Sequence, residues 1–306
     1  MNPSVSVVIP TFNRAGVIER CIKSVQDQTY RDFEIVVVDD ASKDNTAEVV
    51  EKIQDERIRY IKLEKNTGPS QSRNIGIEKS RGKYIAFLDD DDEWLPEKLE
   101  VQVRIFDEAD EKIGAVYSAF WRIQKNKRLY IPSKKIKKKE GDLLDNVLKR
   151  YMIGTPAILV RKDVLDEVGY FDAELRALVD WDLWIRIARA YHFRFVDKPL
   201  TVSYYSKVSV SANRMNVIAA YEVLLKKHAD IIMKNRSVLA KIYLRMGNAY
   251  SHSGKASEGR SYFFLSLRNN PFKPSAWAGF LASIWGTRFY TMLVNIKKRI
   301  RGFGPD

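Results

Sequence analysis

Hydrophobic and polar positions in the first two thirds of the chain follow two rhythms that alternate. VSVVIP (Val5–Pro10) is a short β-branched run of the kind that fills a strand buried on both faces. Over Ala15–Gln28 the rhythm changes, and Val17, Ile18, Cys21, Ile22 and Val25 share one face of a helix. FEIVVVDD predicts a second buried strand closing on Asp39 and Asp40, Ser42 to Asp55 a helix, and Ile58–Leu63 a third strand. Asn66-Thr-Gly-Pro is a turn, Ser70–Ser80 a helix and KYIAFLDD (Lys83–Asp90) a fourth strand. Strands alternating with helices are βαβ units with right-handed crossovers. The expected class is α/β, a mostly parallel central sheet flanked by helices.

Beyond Trp94-Leu-Pro the pattern predicts a helix around Pro96–Glu108, a strand at Gly114–Arg122, a basic loop and a helix around Leu143–Arg150. A short strand at Ala157–Val160 and a helix at Trp181–Ala190 follow. From about Ala212 strand signals stop, so the expected organisation is an α/β domain over 1–211 and a helical C-terminal extension over 212–306. Tyr243, Met246-Gly247 and Tyr250 match the start of a tetratricopeptide-like hairpin, and Trp277 falls 34 residues after Tyr243, the period of that repeat. A single repeat and a fraction cannot bury a core alone, so a plain helical hairpin is the simpler expectation and a tetratricopeptide module the alternative. From Trp277 onward Leu281, Ile284, Trp285, Phe289, Met292, Leu293, Ile296 and Ile300 keep helical spacing, with Lys297-Lys-Arg-Ile-Arg at the end. An amphipathic helix with a basic end can lie in a membrane interface; the competing reading packs the stripe on the hairpin.

Composition narrows the classes. Over 306 residues, 45% hydrophobic and 30% charged is a globular balance. No apolar stretch reaches the roughly 18–20 residues a membrane span needs. The N-terminus lacks the basic region of a secretory signal, so the expected location is cytoplasmic. The lone cysteine, Cys21, excludes an internal disulfide framework and a multi-cysteine zinc site; it sits on the apolar helix face and reads as core. The net charge is +13, of which residues 211–306 carry sixteen Lys+Arg against four Asp+Glu. Arg122–Lys139 adds nine basic residues and no acid, and the rest of the chain is acidic. Basic patches of this kind suit an anionic membrane surface or a nucleic acid, or are simply solvated.

The chemistry lies in the acids. Asp39-Asp40 ends the second strand, Asp89-Asp90-Asp91-Asp92 ends the fourth, and Asp180 and Asp182 begin a later helix. Ligands of open parallel sheets bind outside the carboxyl ends of strands. Four consecutive aspartates repel one another unless something positive compensates. Mg²⁺ or Mn²⁺ does this with one or two carboxylates plus substrate phosphates. A solvated acidic turn is the plain alternative. Neither a Gly-x-Gly-x-x-Gly loop nor a Walker A loop is present, which argues against a dinucleotide fold and a P-loop.

VSVVIPTFNR, VVVDDASKDNT, NTGPSQSRNIGIEKSRGKYIAFLDDDDEWLPEKLE, TPAILVRKDVLDEVGYFD and VDWDLWIRIA occur in this order. Together they closely resemble the family-2 glycosyltransferases of the GT-A fold, over about residues 3–205. The resemblance implies an inverting transfer of a sugar from a nucleoside diphosphate sugar, with a uridine nucleotide favoured, to an acceptor hydroxyl. Pro10, Thr11, Asn13, Asp39, Asp40, Arg73, Asp89 and Asp90 then fall on the nucleotide side. Asp89-x-Asp91 matches the DxD motif, with Asp91, and Asp89 beside it, toward a divalent metal. Asp180 matches the catalytic base, although Val179 replaces the family's usual glutamate before it; Asp182 is the rival. Thr155, Pro156 and Trp181 fall on the acceptor side, where a turn before a strand and core packing are equally good readings. Trp184 is a second aromatic candidate there. His192 lies beyond the base, at a spacing that does not suit a metal ligand. The family further implies a lipid-linked or surface glycan as acceptor, at the cytoplasmic face of a membrane. A nucleotidyltransferase is the rival enzyme, disfavoured by the missing glycine-rich loop. A nucleic-acid-binding protein is the rival from another class, but no such motif is present and nucleic acid is not an expected partner.

Overall fold

The structure is a computed structural model that describes residues 2–124, 127–150, 152–204, 213–287 and 290–292. The chain divides into two compact units, one comprising Met1–Ala173 and Val179–Ser206, the other Glu174–Leu178 and Lys207–Asp306.

The first unit holds nine described strands: β1 (Val5–Thr11), β2 (Phe33–Asp39), β3 (Ile58–Lys62), β4 (Tyr84–Phe87), β5 (Glu93–Trp94), β6 (Ile113–Gln124), β7 (Lys127–Ile131), β8 (Ile158–Arg161) and β9 (His192–Tyr204). They form one sheet in the order β3-β2-β1-β4-β8-β6-β9-β5, with β7 hairpinned onto β6. Its helices are α1 (Ile18–Gln26), α2 (Thr46–Glu51), α3 (Pro69–Lys79), α4 (Lys98–Asp107), α5 (Leu144–Lys149), α6 (Lys162–Val168) and α7 (Val179–Ala190). The sheet β3-β2-β1-β4 is parallel, as its βαβ spacing predicts. β8 runs antiparallel to both β4 and β6, and β9 is parallel to β6. The carboxyl ends of β4, β6 and β9 therefore share one edge. Part of the basic loop is the β6–β7 hairpin, where the Arg128 guanidinium lies 4.0 Å from the Trp121 ring centroid.

Strand β9 is absent from the hydrophobic rhythm. Its sequence HFRFVDKPLTVSY carries Asp197-Lys198-Pro199 mid-strand, and its pairing with β6 shifts register between Ser118 and Ala119 and again between Ala119 and Trp121. A bulged strand loses the strict alternation that marks a strand in sequence. Helix α6 is likewise too short to show a periodic face.

The core packs β1, β2 and β4 against α1 and α4, with Val5, Val7, Ile9, Cys21, Ile22, Ile35, Val37, Leu88 and Leu99 at 0% exposure. On the other face α3 approaches β1 so closely that a Cβ on Gly76 would lie 2.3 Å from Val8 Cγ1. A glycine there lets the α3 backbone sit against the strand.

At the amino ends of the strands a buried carboxylate ties the sheet together. Glu34 of β2 is 2% exposed. It accepts from Ser6 Oγ at 2.7 Å, from the Arg81 backbone N–H at 2.7 Å and from the Arg59 and Arg81 guanidinia at 3.0 Å each. Burial pushes this carboxyl up, but the four donors together pull it below its ordinary value.

The second unit is helical: α8 (Arg214–Lys227), α9 (Ala229–Ile232), α10 (Arg236–His252), α11 (Ala256–Asn269) and α12 (Pro274–Ile284). Asn213 and Asn235 cap α8 and α10 through side-chain oxygens. Phe263 of α11 is the packing centre: Cβ atoms on Gly247 of α10 and Gly279 of α12 would lie 2.7 and 2.6 Å from its ring. Of the residues of the weak repeat, Met246 and Gly247 stand at helix–helix contacts and Tyr243 and Tyr250 meet Tyr262 of α11, while Trp277 is exposed. Phe289, Leu293, Ile296, Ile300 and the basic run from Lys297 lie outside the described residues.

Replacing Glu34 by Ala is expected to cost about 2 kcal/mol in urea unfolding at pH 7, the worth of hydrogen bonds to a buried charge. The wild type contribution should fade as pH drops below 4.5, because a lowered native pKa means the unfolded chain takes up the proton first. The difference between wild type and variant should shrink over that acid range.

Candidate functional site

The four consecutive aspartates follow β4 at the carboxyl edge of the sheet, and each has a different environment. Asp89 pairs with the Arg73 guanidinium from α3. Asp90 is buried and lies 3.4 Å from the Arg14 guanidinium, in the loop after β1. Asp91 is half-buried, 3.9 Å from the same guanidinium, and its carbonyl accepts from Arg20 of α1 at 3.0 Å. Asp92 is 2% exposed and accepts the Tyr204 N–H at 2.9 Å, fastening the end of β9.

Cations on three separate elements therefore hold the cluster, and they do not fully balance it. Burial pushes the Asp90 carboxyl up to about 7, against the pull of Thr11 and Arg14. Burial and the neighbouring Asp89 charge raise Asp91 and Asp92 as well. Surplus negative charge on oxygen ligands suits a hard divalent cation. Among the described residues no three His, Cys, Asp or Glu side chains form a ready metal cage.

Beside the cluster lie the loops after β1 and β2. Asn13 and Ala41 both have left-handed backbones, with φ of 55° and 65°. Non-glycine residues in this region are uncommon and gather where a loop is held for a purpose. The Asn13 N–H donates to Ser42 Oγ at 2.8 Å and its side-chain oxygen accepts from the Lys43 N–H at 2.8 Å, so the two loops are laced together. Asp39 is fully buried, accepting from the Ser42 N–H at 2.8 Å and from the Tyr60 hydroxyl. Asp40 accepts from the Thr67 and Gly68 N–H groups at 2.7 and 2.8 Å and so builds the turn that starts α3. Pro10 and Thr11 are buried at the end of β1, opposite Val38 and Asp39.

Asp180 sits in the first turn of α7, half-buried, its oxygen accepting the Trp181 N–H at 2.8 Å. Leu178, just ahead of the helix, is a third left-handed residue, with φ 59°. Burial and the Asp89 charge raise the Asp180 pKa, while the Trp181 N–H and the Arg73 charge oppose them. Asp180 thus lies within electrostatic reach of the Arg73–Asp89 pair, although α7 is far in sequence from α3 and β4. Asp182 is spent elsewhere. It is 0% exposed and paired at 2.9 Å with Arg186, whose guanidinium also donates to the carbonyls of Val168, Gly169 and Tyr170.

Phe171, which the hydrophobic pattern along the chain does not mark as a site residue, is the packing centre of this arrangement. Its backbone exchanges two hydrogen bonds with Asn74 of α3, at 2.8 and 3.0 Å. Its ring meets Phe87 at the end of β4 at 5.2 Å, Trp184 of α7 at 6.5 Å and the Arg73 guanidinium at 5.6 Å. The three elements that present Asp89, Arg73 and Asp180 thus converge on one ring. Arg14 and Arg20 were also missed. The signal for Phe171 and Arg14 was their place inside quoted motifs, GYFD and PTFNR.

Thr155 and Pro156, expected on the acceptor side, are buried, and the Pro156 carbonyl accepts from Trp94 Nε1 at 2.7 Å. Trp181 is 8% exposed and donates its indole N–H to the Val147 carbonyl at 2.8 Å. His192 begins β9 opposite Ile113, at the amino edge, remote from the aspartates.

Residues 6–169 match the sequence profile described as Glycosyl transferase family 2. A relative from Rickettsia prowazekii, an uncharacterised glycosyltransferase, is 30% identical over 243 residues, 78% of this chain and 76% of that one. A Bacillus subtilis protein, TuaG, whose description assigns it provisionally to teichuronic acid biosynthesis, is 31% identical over 61% of this chain and 73% of its own. Among solved structures, residues 1–349 of S. aureus TarS in complex with UDP-GlcNAc superpose with a TM-score of 0.67 at 19% identity. That match covers 97% of this chain and 92% of that one. A Pyrobaculum calidifontis mannosyltransferase in complex with GDP-Man and Mn²⁺ gives 0.58 at 18%, covering 95% and 87%. At these identities the two structures establish the fold, which is GT-A.

The two aspartates of α7 should separate by stability. Asp182→Ala, which strands the Arg186 charge, is expected to cost about 3 kcal/mol in chemical unfolding. Asp180→Asn should stay within about 0.5 kcal/mol of wild type, as for a change outside any buried pair.

Proposed function

The chain belongs to glycosyl transferase family 2 and is a glycosyltransferase, and we propose that it moves a sugar from a nucleoside diphosphate sugar, with UDP-sugar favoured, to an acceptor hydroxyl in one inverting displacement. The observation that supports this reading is the convergence of α3, α7 and the end of β4 on the Phe171 ring, with Arg73 paired to Asp89.

Pro10, Thr11, Asn13, Asp39 and Asp40 frame the nucleotide, their loops already laced by hydrogen bonds. A preorganised pocket of this kind loses little freedom when the base docks. Arg73 and Arg14 face the diphosphate. Asp91, with Asp89, would hold a divalent cation, which when bound neutralises charge on the diphosphate. Asp90, whose carboxyl titrates near neutrality, completes the acidic wall.

Asp180 takes the proton of the acceptor hydroxyl as that oxygen forms its bond to the anomeric carbon. The bond from the same carbon to the phosphate oxygen breaks on the opposite face, and the nucleoside diphosphate departs. The raised pKa of Asp180 makes it a stronger base than a solvated aspartate. Thr155, Pro156 and Trp181 back the acceptor side as buried supports. The acceptor is a lipid-linked or surface glycan, reached from the cytoplasmic face of a membrane on which the protein sits peripherally. The provisional teichuronic acid role of TuaG agrees with a surface glycan.

Asp180→Asn should keep metal-dependent donor binding and lose at least about 100-fold in turnover. Loss of binding with turnover of bound donor intact would place the base elsewhere. In the wild type, turnover should rise with pH through an inflection above 3.8, because a carboxyl with a raised pKa stays protonated and inactive to higher pH. Calorimetric titration with UDP, GDP and dTDP, each with Mn²⁺ and with EDTA, tests the donor site. Metal-dependent binding of UDP is expected, and Asp91→Ala should abolish the metal dependence. Absence of binding by all three nucleotides would refute the assignment.

A further inference from the structure

Helix α12 is built inside out. Its fully buried residues are small: Ala276 and Ser283 at 0% exposure, Ala282 at 6%, and Gly279 against Phe263; Phe280 packs half-buried on the Phe263 cluster. The other large apolar residues of the helix and of its C-cap face outward. Trp277 is 47% exposed, Leu281 54%, Ile284 48% and Trp285 74%. These positions recur at intervals of four, three and one, which is one face of a helix. Phe272, just ahead of the helix, is 92% exposed. No charged residue occurs between Pro274 and Thr287. A solvated helix carries the opposite pattern, so this face is shaped for a nonaqueous partner.

Charge identifies the partner. Residues 259–305 carry eight Lys+Arg and no Asp or Glu. Arg268 and Lys273 flank α12 on its N-terminal side, and Arg288 follows it in sequence. None of the helices among the described residues is long and apolar enough to cross a bilayer. An apolar face with Trp near both ends, set in a purely basic segment, matches the headgroup boundary of an anionic bilayer. Indole rings reside there and Lys/Arg meet lipid phosphates.

We propose that the Trp277–Leu281–Ile284–Trp285 face docks the protein on an anionic lipid surface, lying in the interface rather than spanning it. The inference rests on the membrane-side placement proposed above and not on the roles given to Asp180 or Asp91.

The test is sedimentation of the full chain with phosphatidylcholine vesicles, with and without phosphatidylglycerol, for wild type and the double variant L281S/W285S. Both substituted residues are largely exposed, and the thermal melt of the variant should match wild type. The expected result is binding to the phosphatidylglycerol vesicles that weakens with salt and falls at least about tenfold in the variant. Indole emission should shift to the blue and be quenched by brominated lipid in wild type. No binding to phosphatidylglycerol vesicles overturns the proposal. So does equal binding to neutral vesicles, or binding that the double variant retains in full. A concentration-dependent dimer that the variant abolishes, without vesicle binding, would assign the face to a second copy. UDP titration of the same preparations keeps failure of this surface apart from failure of the donor site.

Discussion

Like-charge repulsion at the end of β4 is the constraint around which the candidate site is arranged. Four adjacent carboxylates leave the sheet into partly buried surroundings, where each ionisation is costly. The fold answers with guanidinium groups from three separate elements: Arg14 after β1, Arg20 in α1 and Arg73 in α3. The answer is incomplete, since the carboxyls of Asp90, Asp91 and Asp92 remain raised. Surplus negative charge at such a site is eased by any cation that approaches it.

The two edges of the sheet have opposite designs. At the amino edge Glu34 is fully satisfied by Ser6, Arg59 and Arg81, and it fastens β1, β2, β3 and the start of β4. At the carboxyl edge the carboxylates are under-satisfied and the loops carry left-handed residues at Asn13 and Ala41. Phe171 organises the carboxyl edge, since its ring and backbone set α3, β4 and α7 against one another.

In the helical unit the same trade is made with size instead of charge. Glycines at 247 and 279 let helices close around Phe263. Small residues and Phe280 then occupy the inside of α12, and most of its bulk turns outward. Such a face gives up burial within the unit and gains it only on contact with something else.

The sequence by itself determined the α/β class, the positions of β1 to β4 and their helices, the acidic clusters at strand ends and the family. These are local properties: a strand or helix rhythm is written within a few turns of chain, and a motif within a few residues. The tertiary structure alone decided the rest. Asp180 and Asp182 are two residues apart and chemically identical, and only packing shows that Arg186 consumes the second. Asp40 reads as an acid at a strand end, and only the fold shows that it also builds the turn at Thr67 and Gly68. β9 was hidden because its bulges serve the register of β6, not its own periodicity. Helix α12 showed an apolar stripe in sequence, but which way the stripe faced depended on Phe263 in a neighbouring helix. Apart from the i,i+4 pairing of Asp182 with Arg186, which gains its weight from burial and from the Val168, Gly169 and Tyr170 carbonyls, contacts between residues distant in the chain set these outcomes, and no pattern along the chain encodes them.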